Sequence, residues 1–412
     1  VPWDVTLSNS VDVGASFTSP GTWSGSGTVA ASSVCVDCAG TGVAAVLNAG
    51  TSVIINSGVE TANGNAAGYG TGNGNITVAA PISWASTSQL SLYAYKDIAI
   101  NDAISGVSGT LVARSYHGNI SQAAAIAASA LFAYADAGAV TLTSAGNSVG
   151  TLAGYAAASP GFNFVNASAF AVDAVIGSHG VGTNNQPISL TANSGNLTIA
   201  DAVYGIKSGS GSISLTATSG SVLESTGLIT GNALTVTAGS AIDLASAGNV
   251  INTLTASQTS AGGAGIAFNN NRSYSVTSVS NAAVAGGVSL NTTGGSVFNI
   301  DVGGPVTAGA SGAIAINAGG TGALTRSGSG VWNANSITLQ SSSTGAIGTS
   351  GSPLLTSSVS GGNADIHIGY PGTGPAAVYV SHTGDAFLDT LSTFSANAPL
   401  SVSASNNLVV HP

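Results

Sequence analysis

One short phrase recurs along the chain: a turn with Gly or Asn, then an apolar–polar–apolar alternation, then Ala. It reads Gly74-Asn-Ile-Thr-Val-Ala79 and Gln89-Leu-Ser-Leu-Tyr-Ala94, then Ile188-Ser-Leu-Thr-Ala192, Ile213-Ser-Leu-Thr-Ala217 and Leu234-Thr-Val-Thr-Ala238. Later copies are Val288-Ser-Leu-Asn291, Ile314-Ala-Ile-Asn-Ala318 and Ile337-Thr-Leu-Gln340. Copies that follow one another directly, at 188, 213 and 234 and again at 288, 314 and 337, are spaced by about 20–25 residues. A second strand type sits between them, as in Asp97-Ile-Ala-Ile100, Gly195-Asn-Leu-Thr-Ile199 and Ala241-Ile-Asp-Leu244. Period-2 alternation over four or five residues specifies a short strand with one buried face. Such strands at a fixed repeat specify one coil per repeat.

The predicted fold is therefore all-β: a right-handed parallel β-helix (β-solenoid) with about 20–25 residues per coil. Inward Ile, Leu, Val and Ala stack along the axis, outward Ser and Thr form wet ladders, and Gly and Asn take the corners, where they tolerate positive φ. A sandwich or propeller is the rival architecture, but propeller blades run to ~40 residues with aromatic signatures. Here aromatics are 6% without a regular Trp. Taking ~22 residues per coil, the chain is expected to make roughly 18 coils. Residues 1–48, with Trp3, Trp23 and both cysteines, alternate less regularly and are expected to form an N-terminal cap or coupling segment; residues 49–412 form the parallel β-helix.

Composition narrows the function. Lys96, Arg114, Lys207, Arg272 and Arg326 are the only basic residues, against 15 acids, giving a net charge of −10. Five scattered cations cannot neutralise a nucleic-acid backbone or grip an anionic membrane. No run approaches the ~18 uninterrupted apolar residues of a membrane helix, because Gly, Ser, Thr and Asn interrupt each one, so no membrane insertion is expected. The chain starts at Val1 without a charged leader and reads as a trimmed, exported product. A secreted, extracellular or bacterial cell-surface location follows as an expectation.

The stretch Ile82-Ser-Trp-Ala-Ser-Thr-Ser-Gln-Leu-Ser-Leu-Tyr-Ala-Tyr-Lys-Asp-Ile-Ala-Ile-Asn-Asp-Ala-Ile104 resembles the repeats of filamentous haemagglutinin-like bacterial adhesins of the two-partner-secretion type. Their phrase runs Ile-x-Trp, then Leu-x-Leu-x-Ala, then Ile-x-Ile/Val-Asn-x-x-Ile. Two further stretches are similar to family phrases: Thr344-Gly-Ala-Ile-Gly-Thr-Ser-Gly-Ser-Pro-Leu354, and Ala145-Gly-Asn-Ser-Val-Gly-Thr-Leu152 with its echo Ala247-Gly-Asn-Val-Ile-Asn-Thr-Leu254. The resemblance implies a parallel β-helix exported across a Gram-negative envelope, serving as an adhesin or matrix fibre without enzymatic activity.

Candidate sites are few. Cys35-Val-Asp-Cys38 is the most distinct local feature, read as a local disulfide pinning a turn or as a bond to a neighbouring subunit. A redox CxxC belongs instead at a helix N-terminus. Asp97 and Asp102 flank one strand, and Asp385 and Asp389 are four residues apart near His382. Either pair is a carboxylate candidate for glycoside hydrolysis, with solvated turn acids as the plainer reading. Of His117, His179, His367, His382 and His411, none has metal-motif spacing. Asp365 and His367 share a strand face that could hold a metal, a surface histidine being the plainer reading. Gly262-Gly-Ala-Gly-Ile-Ala267 has the glycines of a calcium repeat without its aspartate.

The expected function is that of a non-enzymatic extracellular structural protein. It would be a rigid β-helical rod acting as an adhesin stalk or as a matrix or filament subunit, with no cofactor. Its partners would be further copies of itself, head to tail or laterally, or a cell-surface glycan or protein. A polysaccharide-active β-helix enzyme is the alternative. An acid pair in a groove beside exposed aromatics would favour the enzyme, and smooth Ser/Thr/Asn ladders on every face the scaffold.

Overall fold

The computed structural model describes residues 4–10, 15–18, 22–25, 31–38, 42–57, 73–294, 297–341, 344–359, 361, 363–369, 374–391 and 398–411. The chain is an all-β parallel solenoid of about 14 turns. It divides into two compact units, residues 1–211 and 212–412. The helix Val43–Asn48 is the only α-helix among the described residues.

In unit 1, one face stacks Val5, Ile76, Ile98, Ile120, Val140, Phe162 and Ile188 in parallel register. A second face stacks Val53, Leu90, Leu111, Leu131, Leu152, Val172 and Ile199. All are buried. At about 1.5–3 kcal/mol per buried aliphatic side chain, these columns are the main favourable term. Around the first turns the chain is irregular. Ala31–Cys35 pairs outside Asp4–Ser8. The antiparallel pair Ala15–Thr18 and Thr22–Gly25 lies against Val53–Asn56. The helix buries Val43 and Leu47, and Asn48 bridges to Ser83 and Ala85.

Unit 2 carries the longer column: Val222, Ile242, Ile266, Val288, Ile314, Ile337, Ile366, Leu388 and Val410. Its other face stacks Leu215, Val236, Ala256, Val279, Val306 and Trp332. The outward ladder of the first of these faces is smooth: Asp243, Ala267, Ser289, Ala315, Thr338 and His367.

Two expectations need correcting. The chain makes about 14 turns rather than 18, because several turns are longer than the spacing of the repeated phrase. Ile55 and Leu92 are partners on adjacent turns, as are Ile337 and Ile366, and each pair is separated by more chain than the regular copies are. The second correction concerns asparagine at the corners. Among the described residues the positive-φ positions are glycines plus Ile176 and Asn185. Several of the other asparagines act through their side chains, Asn75, Asn119, Asn147 and Asn249 among them.

The echoed phrase shows how. Asn147 and Asn249 are both fully buried. Asn147 accepts from the Ile126 N–H of the preceding turn and donates to the carbonyls of Leu142 and, on the following turn, Val165. Asn249 repeats the pattern with Ile229, Leu244 and Asn269. A polar partner one turn back completes each peg, Gln122 for Asn147 and Glu224 for Asn249. One turn on, Asn166 and Asn270 are buried pegs as well. Each is accompanied by an edge-to-face aromatic pair, Phe164–Phe170 and Phe268–Tyr274. The same device thus occurs in both units.

Candidate functional site

Outward positions on a solenoid face form ladders, because side chains in register on successive turns are only about 4.8 Å apart. One ladder of unit 1 departs from Ser, Thr and Ala. It runs Asn56, Tyr93, Arg114, Tyr134, Tyr155, Gly182, Lys207. The rings of Tyr134 and Tyr155 stack at 5.0 Å with 26° between planes. Arg114 lies 4.7 Å from the Tyr116 ring centre and 5.1 Å from that of Tyr134. Its guanidinium is also held by both carboxylate oxygens of Asp136, at 2.9 and 3.1 Å. That bond pushes the Arg114 pKa up, although burial opposes it. Burial pushes the phenols of Tyr116 and Tyr134 up, with the Asp136 carboxylate adding to it, so both remain hydrogen-bond donors at neutral pH.

Beside this ladder the outer surface is itself covered. Val112, Phe132 and Ala153 form a second outward column and are buried under Val175. Val175 belongs to a tight hairpin closed by its reciprocal hydrogen bonds with Ser178. Ile176 and Gly177, at the tip, have φ of 49° and 79°. A β-branched residue at positive φ is a strained conformation, and here the seating of Val175 holds it. The next turn sends out a second loop carrying Val203 and Tyr204, both more than half exposed. Asp201 organises that loop. It is 2% exposed, and its Oδ1 accepts the backbone N–H groups of Val203 and Tyr204. Its Oδ2 is 2.9 Å from His179 Nδ1 of the first loop. Burial pushes this carboxyl up, but the Tyr204 and Val203 N–H groups and His179 together outweigh it and hold the pKa low.

Between the loops and the ladder is a cavity of about 530 Å³, within the usual range for ligand sites. Tyr134 and Tyr155 form one wall, and His179, Tyr204 and Lys207 the other. The His179 and Tyr204 rings are 6.5 Å apart and near-parallel. The Lys207 ammonium is 5.8 Å from the Tyr204 ring centre, and among the described residues no carboxylate pairs with it. This site is absent from the sequence candidates, apart from His179 as an isolated histidine. Its signal was present: Tyr93, Arg114, Tyr134 and Tyr155 follow one another at nearly equal intervals, one turn each.

The sequence candidates are dispersed. Cys35 and Cys38 are joined to each other at the end of the strand Ala31–Cys35. Asp97 and Asp102 cap turns, accepting from the N–H groups of Asn119 and Ala103. Asp385 accepts from Asn407, while the Asp389 side chain, like Trp3 and the side chain of Trp23, is outside the described residues. Asp365 and His367 share one strand. Among the described residues no three His, Cys, Asp or Glu side chains gather as a metal site. No helix among them is long and apolar enough to cross a membrane.

His382 is a buried group of unit 2, 2% exposed, with Nδ1 2.9 Å from Thr356 Oγ1. Burial lowers its pKa, and Asp385 opposes only in part. The unfolded chain therefore binds this proton at higher pH than the folded one. The stability from the neutral, buried imidazole is complete above the ordinary value of about 6.5 and is lost as pH falls from there toward the depressed folded value. Thermal midpoints measured between about pH 7.5 and about pH 5 should fall on acidification, and His382→Gln should flatten that slope. Parallel slopes in the two proteins would refute this assignment.

A scan against protein-family models, a search of curated proteins and a search of solved structures each returned no match to the chain. What defines the class of this protein is thus its fold, a β-helix repeat protein.

Proposed function

We propose that this is a non-enzymatic extracellular β-solenoid of the adhesin type, resembling filamentous haemagglutinin-like proteins in its repeat phrases. Unit 1 meets a carbohydrate on its aromatic face. The observation that carries the reading is the outward Tyr93–Arg114–Tyr134–Tyr155 ladder opening into a cavity. Aromatic faces stack on the apolar C–H faces of sugar rings, while phenols, guanidinium and ammonium groups hydrogen-bond their hydroxyls. A rigid stack of turns keeps such a surface flat and preorganised.

The enzymatic alternative predicts a carboxylate pair. Among the described residues the cavity lining contains none, and Asp201 has both oxygens engaged in holding the loop. Aromatics without the acid pair support binding over hydrolysis. The smooth ladder of unit 2 supports a scaffold role for the remainder of the chain.

The test is a glycan array probed with the intact protein and with Tyr155→Ala. Wild type should retain a coherent set of glycans, and the variant should lose at least about tenfold in affinity at an unchanged thermal midpoint. Shortening of a retained glycan on incubation would move the protein to the enzyme class. Absence of any retained glycan, or full retention by Tyr155→Ala, would overturn the reading. Electron microscopy of the same sample separates single adhesin rods from a homopolymeric filament.

A further inference from the structure

The aromatic ladder has a missing rung. Tyr134 stacks on one face of Tyr155. On the next turn, where another ring would cover the second face, the register position is Gly182, and one turn further it is Lys207. Tyr155 and Lys207 are thus two strand spacings apart, about 9.6 Å, with no side chain between them. A ring laid on Tyr155 sits about 4 Å above it, which places it at the level of the absent rung and leaves the far side open to the lysine. The slot is also walled laterally, by His179 and Tyr204 on loops fixed by the buried Asp201.

Charge selects among ligands. Arg114 is paired with Asp136, and Asp201 has both oxygens engaged, by the His179 ring and by two backbone N–H groups. Lys207 has no carboxylate partner among the described residues, in a chain with 15 acids and five cations. We infer that the Gly182 rung is the seat of a carboxylate-bearing pyranose, whose ring stacks on Tyr155 and whose carboxylate meets the Lys207 ammonium. This rests on the carbohydrate reading above and adds the ligand's class to it. Hexuronates and sialic acids share that chemistry.

Gly182 makes the inference testable without breaking the fold. It is not a positive-φ position. A Cβ there would meet nothing nearer than Tyr155 Cδ2 at 3.4 Å and the Lys207 carbonyl oxygen at 3.7 Å. Gly182→Tyr therefore completes the ladder and fills the slot. Calorimetric titrations of the intact protein would use oligogalacturonate and its carboxyl-reduced counterpart, then sialyllactose and lactose. One acidic sugar should bind about tenfold or more tighter than its neutral partner, and which pair shows it identifies the source of the carboxylate. The preference should shrink with added salt. Lys207→Gln should equalise the pair, and Gly182→Tyr should abolish binding of both at an unchanged or higher thermal midpoint. Equal affinity for acidic and neutral sugars, or a preference surviving Lys207→Gln, overturns the charge assignment while leaving the carbohydrate reading intact. Binding that survives Gly182→Tyr overturns the slot. If none of the four sugars binds, the inference fails, and the array result alone decides the broader reading.

Discussion

Asn147→Ala should lower the stability of the protein by about 3–5 kcal/mol, as should Asn249→Ala, and the loss should not be recovered by leucine at either position. The reason lies in what the side chain leaves behind. At Asn147 the Ile126 N–H and the carbonyls of Leu142 and Val165 all point at a fully buried amide. Removing that amide strands a donor and two acceptors where water does not reach, at about 1–3 kcal/mol for each buried group left unpaired. Leucine restores volume but no hydrogen bond, so it separates this mechanism from cavity formation. Asn249 makes the equivalent bonds to Ile229, Leu244 and Asn269. Chemical denaturation of the four variants measures the effect. A loss below about 1 kcal/mol for the alanines, or rescue by leucine, would show that the amide bridges contribute little beyond packing.

The strands were legible because a solenoid repeats its physics in every turn. Ile188–Ala192 is a strand with the bounds the phrase implies. The copies at 213, 234, 288, 314 and 337 all fall within strands. The phrase does not say which face a strand joins. Ile213 and Leu234 stack on one face of unit 2, Val288, Ile314 and Ile337 on the other. Alternation and a bounding turn are needed on both, so the same words serve either. The site was less legible, for a related reason. His179 and Asp201 lie on successive loops, and only a known turn length makes them neighbours. The steps from Tyr155 to Gly182 and from Gly182 to Lys207 are longer than the three between Tyr93 and Tyr155 because they carry the two loops that wall the cavity. Local irregularity in turn length, which blurs the repeat in sequence, is what builds the site. The asparagines were misassigned to corner conformation because their propensity for turns is a local property, whereas their bridging role depends on partners one turn to either side.

Trp84 provides the second large effect. Ile82-Ser-Trp84 recurs one turn later as Ile104-Ser-Gly106, and the two segments pair in register, Ile82 with Ile104 and Ser83 with Ser105. The next positions therefore set Trp84 against Gly106. A Cβ on Gly106 would overlap Trp84 Cζ2, and one on Gly109 would overlap Trp84 Nε1. The indole cannot swing aside cheaply: it is 2% exposed, and its Nε1–H donates to the Ser88 carbonyl at 3.0 Å. Gly106→Ala should thus cost about 3 kcal/mol, the upper range for overpacking a well-filled core. Trp84→Leu alone should cost a similar amount through the cavity and the lost hydrogen-bond donor. The two changes together should cost less than their sum by at least about 1 kcal/mol, because the smaller side chain vacates the space the new methyl needs. A double-mutant cycle by denaturant unfolding measures that coupling. Strict additivity would mean that the glycine is required by its own backbone rather than by the tryptophan. A large residue in Ile-x-Trp would then have no physical need of a partner without a side chain one turn on.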